Sequence, residues 1–81
     1  MSAEIKRSLN ERKFPAWEDL ADGGRTYFIE VKGKYGWKAR YVKKVDANEE
    51  TLSFFQEIYN DKSELVEIHE KFPVDKGHRK I

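Results

Sequence analysis

Thr26-Tyr-Phe-Ile-Glu-Val-Lys32, Gly33-Lys-Tyr-Gly36 and Trp37-Lys-Ala-Arg-Tyr-Val-Lys-Lys-Val45 follow one another without interruption. In the first run Tyr27, Ile29 and Val31 alternate with Glu30 and Lys32. In the third, Trp37, Ala39 and Tyr41 alternate with Lys38, Arg40 and Lys44. A period of two over this length is the pattern of a half-buried antiparallel strand. Gly33 and Gly36 supply two positions able to take positive φ in the tight turn of a hairpin. The same alternation returns over Thr51 to Tyr59, where Leu52, Phe54 and Ile58 share one face. It returns again over Glu64 to Glu70, where Val66 and Ile68 oppose Leu65, Glu67 and His69. Asn60-Asp-Lys-Ser63 between these runs reads as a turn, because Asn and Asp tolerate left-handed backbone and bond to their own main chain.

Short connections favour pairing of sequential neighbours, so the four strands are expected as an antiparallel meander in the order 1-2-3-4. Its apolar face needs a cover, and the first 25 residues are the material available. Residues 1–13 are expected to be disordered or marginally helical, and residues 14–81 to form one small domain. Phe14-Pro-Ala-Trp17-Glu-Asp-Leu20 reads as a short helix, with Pro at a first helical position and Gly23-Gly24 as its stop. The tail from Pro73 is expected to fold back over the sheet. The fold class is therefore α+β: a four-stranded antiparallel β-meander, a short N-terminal helical segment and a folded-back C-terminal tail. The expected core is Tyr27, Ile29, Val31, Trp37, Ala39, Tyr41, Leu52, Phe54, Ile58, Val66 and Ile68.

Composition agrees with a small folded domain. The 81 residues include two Trp, four Tyr and five Phe, and no Cys. Each buried ring removes roughly 150–250 Å² from water, which offsets a modest apolar fraction. Without cysteine there is no disulfide framework, no thiolate metal site and no thiol nucleophile. No run approaches 18 apolar residues and the first residues lack an apolar core segment, so neither a membrane span nor a signal peptide is expected, and the expected location is the cytoplasm.

Sixteen Lys and Arg against fifteen Asp and Glu leave a net charge of +1. That near-neutrality hides strong local differences, for residues 32–44 carry +6, residues 46–70 carry −7 and residues 71–81 carry +3. One reading of the basic hairpin is a nucleic-acid surface in which Lys34, Lys38, Arg40 and Lys44 contact phosphates. The other is cross-strand pairing of these cations with carboxylates such as Glu57, which favours one register. On the polar side of the strands Phe28, Val42, Phe55 and Tyr59 form a second apolar strip, the pattern of a partner surface or a homodimer seam.

His69 and His78 flank the Pro73 to Gly77 turn, with Arg79 beside the second. Two imidazoles and a cation are the groups needed for acid–base cleavage of a phosphodiester. No metal-ligand spacing, phosphate loop or dinucleotide fingerprint is present, so neither a metal nor a cofactor is expected. The closing run from Glu57 to Lys80 resembles the end of small prokaryotic domain proteins of unassigned function. That resemblance implies a recurring compact meander with a P-x-D-x-G-H tail, and it carries no site residue across. The leading functional reading of the sequence is a non-enzymatic interaction module acting through a protein partner or self-association. The alternative is a nucleic-acid-binding or nuclease-like toxin–antitoxin component using the basic hairpin and the His/Lys-rich tail.

Overall fold

The computed structural model describes residues 1–81. It contains one α-helix, α1 (Ala3–Lys13), a 3-10 turn at Lys34–Gly36, and six strands: β1 (Ala16–Asp19), β2 (Arg25–Lys32), β3 (Lys38–Val45), β4 (Thr51–Tyr59), β5 (Leu65–Phe72) and β6 (Gly77–Lys80). The strands form a single antiparallel sheet in the order β1-β2-β3-β4-β5-β6. The α+β class and the meander are as expected, but the sheet has six strands instead of four. No helix is long and apolar enough to cross a membrane.

The two additional strands come from segments read otherwise. Ala16–Asp19 is a strand and not a helix, paired with Arg25 to Phe28. Four residues are too few to make a helix favourable by themselves, and the fixed φ of Pro15 suits extended backbone equally well. Gly23 and Gly24 do not stop a helix; they close a hairpin in which Leu20 N–H donates to the Gly24 carbonyl at 2.9 Å. Gly23 stands at φ 88°, and a Cβ on Gly24 would lie 2.5 Å from the Val45 carbonyl oxygen. The tail turns at Asp75, whose side chain accepts from Gly77 N–H at 2.9 Å, and then pairs with β5 as β6. In the β2–β3 hairpin the positive φ falls at Tyr35 and Gly36, not at Gly33.

α1 forms in full. Ser2 caps it by accepting from Ile5 N–H at 3.2 Å, Glu4 lies in the first turn, and Arg12 and Lys13 lie in the last, so each charge complements the helix dipole. The helix covers one end of one sheet face. There Phe14, Tyr27 and Val45 are fully buried, with Ile29 and Phe54 packed against them. Phe14 and Tyr27 rings meet at 5.5 Å. Complete burial of side chains this size contributes roughly 1.5–3 kcal/mol each.

The apolar cluster is small, and a polar network completes the attachment. The Glu49 carboxylate, with no exposed side-chain surface, accepts from Arg7 Nε at 3.0 Å, Asn10 Nδ2 at 2.9 Å and Tyr27 OH at 2.7 Å. Burial opposes its charge, yet these three donors outweigh burial and hold the carboxyl below its usual range. Arg25, buried beneath Trp17, is held by Asp19 and Glu11 at 2.6 and 2.7 Å.

Register corrects the expected core at β5. Tyr59 pairs with Leu65 while Ile58 pairs with Glu67, so the irregularity skips Val66. This one-residue offset puts Glu67 and His69 on the helix side, sends Ile68 to the opposite face and leaves Val66 unpaired with β4 in the bulge. Trp37, Val31 and Leu52 are also outside the core, at 41 %, 48 % and 47 % exposed. The helix is too short to reach the β2–β3 hairpin end, and Leu52 lies at the rim.

A candidate single-strand nucleic-acid surface

The pairing registers define one row straight across the helix-side face: Ile29, Tyr41, Gln56, His69 and His78. The neighbouring row runs Tyr27, Lys43, Phe54 and Phe72. Helix α1 shields only the start of these rows. Beyond its last turn lies an open groove of about 300 Å³, walled by Phe14, Ile29, Val31, Tyr41 and Phe54. Lys13 and Lys71 stand at its rim. A second recess of about 210 Å³ continues it past Phe54 to Lys43, Thr51 and Phe72.

The walls are aromatic and the rim is cationic. Tyr41 and Phe54 rings lie 23° from parallel with centroids 6.2 Å apart. Lys71 Nζ sits 5.3 Å from the Tyr41 ring centre and Lys13 Nζ 5.8 Å from that of Phe14. No carboxylate lines either recess. Burial and then repulsion from Lys13 push the Lys43 ammonium below its usual range, only partly opposed by Glu49. Lys43 is held in place by donating to Asn10 Oδ1 at 2.9 Å. Glu49 and Asp75 interact with Lys43 and Lys71 from outside the lining, so the cationic rim of this aromatic groove is partly balanced. A larger concavity of about 470 Å³ opens between α1 and Glu49 to Thr51. Its charges already pair with one another, as Lys6 with Glu50 at 2.5 Å.

The cations singled out from sequence lie elsewhere. Lys38, Arg40 and Lys44 are on the face away from the helix, and Lys34 is in the exposed hairpin turn. Arg40 pairs in register with Glu30 on one side and Glu57 on the other, and Lys38 Nζ is 3.9 Å from Glu30. Arg40 thus faces Glu57 across the sheet, but no ion pair closes between them, and the Glu57 carboxylate accepts from Tyr59 OH at 3.0 Å instead. Phe28, Val42 and Phe55 form one row of that same face. Val42 is only 6 % exposed, the Arg40 guanidinium lies 4.3 Å from the Phe28 ring centre, and Lys38 lies 5.5 Å from that of Tyr59. The strip is shaded by its own basic side chains.

The two histidines meet. His69 and His78 are register partners, and their ring centroids are 4.5 Å apart at a tilt of 51°. His69 Nε2 faces Asp75 Oδ1 at 2.5 Å, while its Nδ1 is buried without a partner. His78 Nδ1 approaches Glu67 Oε1 at 3.6 Å, and its side chain is 47 % exposed. Asp75 is held below the usual carboxylate range by the Gly77 N–H and then by His69. Arg79 does not join this pair: it sits opposite Ile68, on the other face, and Lys80 opposite Glu67 takes its place.

Lys13, Lys43, Lys71, Phe54 and Gln56 were not read from sequence as site residues. The available signal was Lys43, a lysine where the alternation of β3 calls for an apolar side chain. Lys71 reaches the groove through a break in register between Phe54 and Phe55, which no pattern of residue types marks. No protein-family model matches the chain, and neither a curated protein nor a solved structure is similar enough to count as a match.

Proposed function

We propose that the helix-side face binds single-stranded RNA, with a base against Tyr41 and Phe54 and phosphates at Lys13, Lys43 and Lys71. The observation that carries this reading is the aromatic-walled groove whose lining has three lysines and no carboxylate. Base stacking on such rings contributes roughly 1–3 kcal/mol per base and tolerates any sequence. An open sheet face also suits a flexible strand, whose bases splay onto side chains, better than a duplex. The basic face of the hairpin supports this function less well, since its cations alternate with Glu30 and Glu57.

Fluorescence anisotropy with a labelled mixed-sequence ten-nucleotide RNA tests the reading. Neutralising three phosphates gives a log–log salt slope near −2, so affinity falls roughly 20-fold between 50 and 200 mM salt. Lys13→Glu with Lys71→Glu is expected to weaken binding at least tenfold, and Lys38→Glu to leave it unchanged. Binding that is absent, insensitive to salt, or lost on Lys38→Glu alone would overturn it.

A further inference from the structure

The histidine pair stands on the same row as the proposed binding surface, beyond Tyr41 and Gln56, and RNA binding alone does not require it. Tyr41 and His78 are three strands apart, about 14 Å at the usual spacing of sheets. A strand seated in the groove therefore reaches His78 within a few nucleotides.

The two rings differ in what they can do. With Asp75 on Nε2, His69 carries its proton there and its remaining lone pair points into the interior, so it has no free nitrogen for a ligand. His78 is the half-exposed ring. Glu67 beside Nδ1 favours the tautomer protonated at that atom, which leaves the Nε2 lone pair as the outward base. Lys80, the register partner of Glu67, lies on the same face of β6 as His78.

Resting on the RNA-binding reading, we propose that this corner cleaves the bound strand, with His78 as the catalytic residue and His69 and Asp75 as positioning residues. His78 Nε2 takes the proton of a ribose 2′-hydroxyl, and the 2′-oxygen forms a bond to the adjacent phosphorus. The phosphorus–5′-oxygen bond breaks, and the imidazolium returns the proton to the departing 5′-oxygen. The products are a 2′,3′-cyclic phosphate and a 5′-hydroxyl; one P–O bond replaces another, and the proton moves from the 2′- to the 5′-oxygen. The substrate supplies its own nucleophile, so the chemistry needs only a placed base and a cation for the added negative charge, here Lys80. His69, fixed by Asp75 and tilted against the His78 ring at 4.5 Å, limits where that ring can turn.

The test uses the full chain with a labelled RNA, the same RNA carrying one 2′-deoxy residue, and its all-DNA counterpart. Expected are cleavage of the RNA to cyclic-phosphate and 5′-hydroxyl ends identified by mass, no cut at the deoxy position, and intact DNA. His78→Ala, purified in parallel, is expected to lower kcat at least 100-fold with RNA affinity unchanged, and added imidazole to restore part of it. Asp75→Asn is expected to lower kcat about tenfold with KM and melting temperature unchanged, as positioning would and a folding role would not. RNA that is bound in a salt-dependent way but stays intact overturns cleavage while leaving the binding reading in place. Cleavage abolished by His78→Ala in a protein whose anisotropy shows no groove-dependent binding supports the catalytic corner and overturns the groove. Cleavage retained in His78→Ala, or of DNA, overturns the proposal.

Discussion

The two ends of the helix-side face differ in how their polar groups are satisfied. Under α1, every buried polar group of the Glu49 cluster has a partner inside the protein: Arg7, Asn10 and Tyr27 converge on one carboxylate, and Asn10 passes the connection to Lys43. Beyond the helix, Lys13 and Lys71 lie over ring faces and close no ion pair or hydrogen bond within the protein. Both ends are built on the same sheet. A closed network holds a structure together, whereas an open one is completed only by something from outside.

The largest effect that sharpens this contrast is at the closed end. Phe14→Ala is expected to destabilise by about 3–5 kcal/mol, which for a chain of this size lowers the melting temperature by well over 10 °C. A loss within about 1 kcal/mol would show that the helix is not what closes the face.

Acid should act on the closed end next. Glu49 has its carboxyl lowered on folding, so its contribution is complete above the unfolded value of about 4.3 and disappears as pH falls through the folded value. Thermal melts between pH 6 and 3 are expected to show stability falling with pH, and Glu49→Gln to flatten part of that slope. Asp75 is shifted in the same direction, but it is exposed, and Asp75→Asn is expected to leave the melting curves nearly unchanged. An equal flattening by both variants would erase the distinction between the ends.

The smallest effect belongs to the open end. His78→Ala removes a half-exposed ring with no hydrogen bond and is expected to move stability by no more than about 0.5 kcal/mol, whatever it does to RNA. Circular dichroism melts of this variant beside Phe14→Ala complete the comparison.

Most of the meander was legible because alternation reports burial directly wherever a strand has one dry face. Tyr27, Ile29, Tyr41 and Phe54 were placed on their face by parity alone. Reading failed where long-range contacts decide. Ala16–Asp19 has the punctuation of a helix start, yet its hydrogen bonds come from β2. Val66 and Ile68 follow the apolar rhythm, but the connection from Tyr59 to Leu65 sets the register and puts His69 on the face they were assigned. The histidine pair was suggested by composition and its meeting was not, because residues 69 and 78 become neighbours only through the return of β6. The binding groove was the least legible, since Tyr41 and Phe54 read as core. Only the short reach of α1 leaves them partly uncovered.

A sheet whose strands all pair with their neighbours in sequence ends in two free edges. Here both are four residues long; β1 carries Glu18 and Asp19, and β6 carries Arg79 and Lys80. Opposite charges on opposite edges would, on longer strands, invite one copy to add to the next head to tail, an association with no geometric reason to stop. Four residues offer an arriving strand only a few backbone hydrogen bonds. The brevity of β1 and β6 is thus a guard against fibre growth, placed where an extended strand of another chain would otherwise find a template.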